Sequence, residues 1–180
     1  IEGELKYAVR RQEETIYHKR LRLANPEMNR FRDLILHNLE AGEAVLTDNN
    51  DIRIYTDGKA KFRALIEEMK QARKYIHLQY YIIRNDELWQ EIEKVLIQKA
   101  REGVQVRVLF DSMGCRTMHN RDWERLEAEG IMVAEFFPAL LGQLQLRVNY
   151  RNHRKIVVID GRIGFVGGFN VGREYLGRDK

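Results

Sequence analysis

No run of about 18 or more apolar residues occurs in the chain, so it contains no helix able to span a bilayer. No secretory signal pattern is present. Cys115 is the only cysteine, which excludes an intrachain disulfide and suits a reducing compartment. It reads as a loop or core thiol rather than a nucleophile. There are no His/Cys clusters at metal-ligand spacing, tandem repeats or low-complexity tracts. Charge is nearly balanced: 31 Lys and Arg against 27 Asp and Glu leave a net charge of +4. That balance favours anionic partners such as nucleic acid or acidic lipid, but only modestly, and ordinary solubility explains it equally well.

The 180 residues are 44% hydrophobic and 32% charged, enough for one domain with a real core. Residues 4 to 23 place Leu5, Val9, Ile16 and Leu23 among Arg10, Arg11, Lys19, Arg20 and Arg22. This predicts a basic, weakly amphipathic helix, either lying near an anionic membrane surface or serving as a solvated linker. Asn25-Pro26 is a helix-start signal, and Phe31, Leu34, Ile35 and Leu39 predict a helix over 26–40 that ends at Gly42. His37 falls on this helix without a chemical role. A boundary near residue 43 separates this basic helical segment, 1–43, from an α/β domain, 44–180.

The α/β domain opens with a predicted strand over 51–55 and an Asp57-Gly58 cap. A helix over 59–72 buries Phe62, Leu65, Ile66 and Met69. Next come a strand over 75–83, a helix over 87–101 capped by Asp86 and stopped by Gly103, and a strand over 104–110 leading into Asp111. A helix over 120–129, capped by Asn120, precedes a strand over 131–136. His77 is a strand residue with no catalytic part. The strand–helix alternation predicts a mixed, largely parallel sheet flanked by helices, with any ligand outside the carboxyl ends of the parallel strands. Leu140, Leu141, Leu144, Leu146 and Val148 then form an apolar loop, which suits either contact with lipid or a small satellite core.

Residues 149–170, NYRNHRKIVVIDGRIGFVGGFN, concentrate the chemistry. His153 and Lys155 are two apart at the start of a β-branched run, so a strand would project both from one face. Asp160-Gly161 signals a tight turn, and a second strand over 163–166 ends in Gly167, Gly168 and Asn170. A neutral imidazole is a nucleophile or base, an ammonium carries charge to phosphate oxygens, and an amide adds a neutral donor. Together these suggest binding and attack on a phosphate, with no metal needed where Lys155 and Asn170 neutralise the charge. From the residues alone, a hairpin with one exposed His and one Lys reaching for water remains an alternative. Asp160 is odd-spaced from His153 and is expected to fix the turn.

The full string His153-x-Lys155-x4-Asp160-x6-Gly167-Gly168-x-Asn170 resembles the signature of the phospholipase D superfamily. Asn149-x-Arg151-Asn152-His153-Arg154-Lys155 looks most like the bacterial cardiolipin synthases. The resemblance covers residues 45 to 178, through Ile54-Tyr55-Thr56-Asp57-Gly58, Tyr80-Tyr81-Ile82, the Gly103–Asp111 strand, and Gly130, Val133, Phe136 and Pro138. It implies a phospholipase D-like α/β/α lobe without cofactor or metal, and the motif groups His153, Lys155 and Asp160 as catalytic. His153 would attack phosphorus and become a phosphohistidine. Lys155 and Asn170 would hold the phosphate, and Gly167 and Gly168 would give it room. Gln79 stands near a position where many members carry Glu.

A carboxylate that orients the histidine usually follows the GGxN segment; here Glu174 is the nearby substitute. Such sites need two motifs, from two halves of a chain or from two subunits, and this sequence carries one. The expectation is half of a phosphatidyltransferase site that joins two phosphatidylglycerols into cardiolipin and glycerol, inactive alone. The implied partners are anionic phospholipid, a membrane surface and a second motif-bearing half or subunit. The chain itself, which begins at Ile1, would be a soluble fragment of a parent at the cytoplasmic face of the cell membrane. Two alternatives remain: a dimeric nuclease or phosphodiesterase acting on nucleic acid, with Tyr80 and Tyr81 stacking on bases, and an inactive module that binds anionic lipid.

Overall fold

The computed structural model describes residues 2–17, 26–47, 49–136 and 151–177. They divide into two compact units, Ile1–Ile54 and Tyr55–Lys180.

In the first unit, helix α1 (Glu2–Tyr17) packs against α2 (Arg32–Gly42). Val9 and Ile16 meet Ile35 and Leu39 at helical spacing. The Gln12 side chain both donates to the Leu46 carbonyl, at 2.9 Å, and accepts from the Leu46 N–H, at 2.7 Å. The helix expected over 26–40 is split, because Pro26–Phe31 winds as a 3₁₀ helix before α2 begins. Gly42 closes α2 as its last residue, and Glu43 takes the left-handed conformation at φ 50°. His37 is exposed. Asn25 and the basic positions Lys19, Arg20 and Arg22 lie outside the described residues, as does Leu23.

In the second unit, α3 (Gly58–Lys70) is capped by the Asp57 carboxylate, which accepts from the Ala60 N–H at 2.7 Å. Strand β1 (Tyr75–Tyr80), helix α4 (Glu87–Arg101) and strand β2 (Gln105–Asp111) follow, then α5 (Asn120–Ala128) and β3 (Met132–Phe136). A hairpin, β4 (Ile156–Ile159) and β5 (Ile163–Val166), completes one sheet of order β3-β2-β1-β4-β5. The sheet is mixed: β3-β2-β1 run parallel, and β4 and β5 join antiparallel. Even-numbered residues of β1 and β2 face the helices, and Leu78, Tyr80, Val106 and Val108 pack with Phe62 and Leu65 of α3 and Trp89 and Ile92 of α4.

Two local expectations change. Residues 51–55 form no strand, and Ile52 and Ile54 stand 78% and 86% exposed. Alternation alone cannot make a strand without a neighbour to pair with. His119 rather than Asn120 precedes α5, because the Asp122 carboxylate reaches back to the His119 N–H at 2.9 Å. The apolar loop at Leu140, Leu141, Leu144, Leu146 and Val148 lies outside the described residues, along with Pro138 and Asn149.

Candidate functional site

β4 begins at Ile156, opposite Gln79, so the segment 151–155 leads into the strand rather than belonging to it. A shared strand face therefore does not bring His153 and Lys155 together. A third residue does. The Tyr81 ring lies 4.7 Å from the His153 ring, tilted by 54°, and 5.3 Å from Lys155 Nζ. Aromatic faces attract cations at such distances, and an imidazole ring packs on them as well. Lys155 Nζ also donates to the His153 carbonyl at 2.8 Å. His153 is exposed, while Lys155 is buried at 5% exposure. Burial lowers the Lys155 pKa below its ordinary value, because a charged amine loses hydration there. The pair thus presents an open imidazole backed by a dehydrated amine.

The cluster sits at the carboxyl ends of β1 and β2, where the sequence placed a ligand. Asn170 follows β5 and is also buried. Its Oδ1 accepts from the Ile82 N–H at 3.2 Å, and its Nδ2 donates to the Tyr175 hydroxyl at 2.7 Å. One amide proton remains after these two bonds, because Nδ2 carries two. The anchoring of Asn170 therefore fastens the end of the hairpin to the residue after Tyr81. Gly167 and Gly168 lie exposed, and a Cβ on either would meet no protein atom within 4 Å. The fold does not require glycine there, so what these positions offer is open approach.

Asp160 stands at the other end of β4. Asp160 and Gly161 both have positive φ, 54° and 69°, in a turn closed by the Arg162 N–H on the Ile159 carbonyl at 3.0 Å. The Asp160 carboxylate accepts from the N–H groups of Arg73, Lys74 and Tyr75 at 2.8, 2.8 and 2.9 Å. Desolvation opposes its ionisation, yet these backbone donors hold its pKa below the usual carboxylate value. The structure thus brings His153, Lys155 and Asn170 toward one end of the hairpin and leaves Asp160 at the other, tied to the loop ahead of β1.

Glu174 does not serve His153. Its carboxylate accepts from Arg84 Nε at 3.1 Å. Cys115 is buried; its sulfur accepts from the Ile83 N–H at 3.3 Å, and burial pushes the thiol up to about 12. It is a packed thiol, not a nucleophile. Tyr80 is 2% exposed and accepts at its hydroxyl from Lys61 Nζ at 2.7 Å. It therefore has no face free for a base. The His77 ring stacks on Tyr75 at 4.5 Å, within the sheet. Among the described residues, no group of three or more His, Cys, Asp or Glu is placed to hold a metal ion.

Two contributors were not linked to His153 from the sequence. Tyr81 was read only as an aromatic at a strand end that could stack on a base. Asp111 was visible as an acid closing a parallel strand, the position that the carboxyl-end rule singles out. It is fully buried, and its carboxylate reaches the Asn152 N–H at 3.1 Å, one residue before His153.

A family model described as a cardiolipin synthase, phospholipase D-like domain matches residues 65–180. The chain is 48% identical over 155 residues to a cardiolipin synthase of Oceanobacillus iheyensis, covering 86% of this chain and 32% of that protein. It is 50% identical over 146 residues to the major cardiolipin synthase ClsA of Bacillus subtilis, covering 81% of this chain and 30% of the relative. The chain thus spans about a third of the length of the curated relatives it matches. Among solved structures, NucT from Helicobacter pylori aligns with a TM-score of 0.51 at 16% identity, over 68% of this chain and 74% of that one. At that identity the likeness is one of fold.

Proposed function

The chain belongs to the family of cardiolipin synthase, phospholipase D-like domains, and from that premise we infer that it supplies half of a phosphatidyltransferase site. In this reading His153 attacks the phosphorus of phosphatidylglycerol, and the bond from phosphorus to the departing glycerol oxygen breaks. The glycerol oxygen takes a proton from a second motif, outside this chain's single copy. A hydroxyl of a second phosphatidylglycerol then attacks the phosphohistidine, gives its proton to that same group and releases cardiolipin. Lys155 and the spare Asn170 amide proton stabilise the phosphate oxygens, and Gly167 and Gly168 leave the approach open.

The observation that carries this reading is the convergence of an exposed imidazole and a buried amine on Tyr81. A solvent-facing nucleophile beside a charge held out of water is what attack on a phosphodiester needs. Sequence identity near one half to cardiolipin synthases, over four fifths or more of this chain, supports lipid as the substrate class. The nucleic-acid alternative loses its stacking residue, since Tyr80 belongs to the core and His153 already packs against Tyr81.

The test uses phosphatidylglycerol vesicles and mass spectrometry. The full-length parent is expected to form cardiolipin and a covalent phosphoenzyme, and its His153→Ala variant neither. Covalent phosphate persisting on the variant would remove His153 from the role. Robust cardiolipin formation by a monomer of these 180 residues would overturn the half-site reading.

A further inference from the structure

Asp111 ends β2 with no exposed surface. Its carboxylate accepts from backbone N–H groups. Oδ1 accepts from Met113 at 2.9 Å and Gly114 at 3.3 Å. Oδ2 accepts from Asn152 at 3.1 Å, across 41 residues of sequence. The first set shapes the turn at 112–115. The second pins the segment that carries His153.

The turn matters because Tyr81 rests on it. A Cβ on Gly114 would overlap the Tyr81 carbonyl, so the two backbones touch. Cys115 Sγ donates to the same carbonyl at 3.6 Å and accepts from the Ile83 N–H at 3.3 Å. The Tyr81–Ile83 segment is therefore seated on a turn that one carboxylate organises. The other oxygen of that carboxylate holds Asn152, and the Asn152 side chain in turn accepts from the Arg154 N–H at 3.4 Å. Both residues flanking His153 are thereby restrained.

We propose that Asp111 is a positioning residue of the site: by holding the 112–115 turn with one oxygen and Asn152 with the other, it fixes His153 against Tyr81. Asp111 touches neither the imidazole nor Lys155 in the described contacts and acts through the backbone. An ionised carboxylate suits this task because it only accepts, and all three of its partners donate. An amide keeps one acceptor oxygen and turns two donors toward groups that are themselves donors. A bond of this kind matters out of proportion to its energy, since a nucleophile misplaced by about 1 Å loses on the order of 10²-fold in rate.

The rate arm of the test rests on the phosphatidyltransferase reading; the spectroscopic arm does not. In the full-length parent, Asp111→Asn is compared with Asp122→Asn. Asp122 is also buried, but it holds the His119 N–H, on α5. Asp111→Asn is expected to lower kcat about 10²-fold with KM and the pH profile nearly unmoved. Asp122→Asn is expected to hold kcat within about 2-fold per folded molecule. Histidine ring NMR reads the geometry directly: Asp111→Asn moves the His153 resonance and spares His119, and Asp122→Asn does the reverse. Should Asp111→Asn fail to fold, Asn152→Pro removes the same hydrogen bond from its donor side, and Asn152→Ala keeps it. Then the proline variant must show the lower kcat and the shifted His153 signal relative to the alanine variant. Equal kcat losses in the two aspartate variants, or an unmoved His153 resonance, overturn the assignment. A moved resonance with no cardiolipin formed by any form of the enzyme leaves the positioning intact and sinks the reaction instead.

Discussion

β4 is four residues long, and its two ends are built for different purposes. At the Lys155 end the polar groups are only partly committed, Lys155 Nζ spending one of its three donors on the His153 carbonyl. His153 is exposed, Lys155 is dehydrated, and the two glycines beyond β5 stand in open space. At the Asp160 end both carboxylate oxygens are committed. The carboxylate closes over three backbone donors from the loop ahead of β1, and the turn residues sit in left-handed conformations that suit them. A motif that reads as one unit along the chain is thus divided in space by a short strand. Its first part presents an exposed imidazole beside a buried amine, and its second part fastens the hairpin that carries the first.

This division makes different demands of substitutions at the two ends. The largest effect is expected at Lys155. Lys155→Met keeps the packing of a long side chain and removes one preorganised charge, at a cost of about 2.7–4 kcal/mol in transition-state stabilisation. On the proposed function, cardiolipin formation by a protein carrying this domain should fall roughly 10²–10³-fold with thermal stability nearly unchanged. A variant that lost folding instead of rate would break the comparison.

Asp160→Ala should do the opposite. Leaving three partly solvated N–H groups without their acceptor costs about 1 kcal/mol, and a left-handed alanine adds to that. The rate per folded molecule should hold. Because the folded state keeps the Asp160 pKa low, the stabilisation is complete above the ordinary value of 3.8 and is lost as pH falls through the folded value. Urea unfolding followed with pH should show the gap between wild type and variant narrowing below 3.8.

The smallest effect sharpens the comparison from outside it. Lys61 is dehydrated like Lys155, and burial brings its pKa down to about 7, but it serves a buried phenol. Between pH about 7 and its ordinary 10.5 the unfolded chain binds more protons at this site, so folding stability rises with pH. The neighbouring Tyr80 phenol, raised by burial, opposes that rise only above its ordinary value of 10.0. Lys61→Met should flatten the rise between pH about 7 and 10 in thermal melts and leave the rate alone. A rate loss comparable to that of Lys155→Met would mean that dehydration of a lysine, rather than its place at the end of β4, is what the site needs.

Much of the fold was readable along the chain. The helices α3 and α4 announced themselves by spacing and by the caps Asp57 and Asp86. The β-branched run, the Asp160-Gly161 turn and the following apolar stretch named the hairpin, with the second strand at its observed bounds and the first begun too early, at His153 rather than Ile156. The strand expected over 51–55 failed because a pattern of alternation does not supply a partner. His153 and Lys155 were recognised as a pair for a reason that the structure replaces: they meet at Tyr81 rather than on a strand face.

The sequence by itself determined which groups are present and which local elements carry them, because propensity, caps and turn chemistry act over a few residues. The tertiary structure alone decided what those groups face. It sends Tyr80 into the core and turns the adjacent Tyr81 toward His153, a choice that two neighbouring tyrosines do not reveal. It sets the Asp160 carboxylate on N–H groups some 85 residues earlier in the chain. It sets the Asp111 carboxylate on Asn152, 41 residues later. Such bonds follow from strand order, since only the antiparallel docking of β4 beside β1 brings those backbones within reach, and no short-range pattern encodes that order.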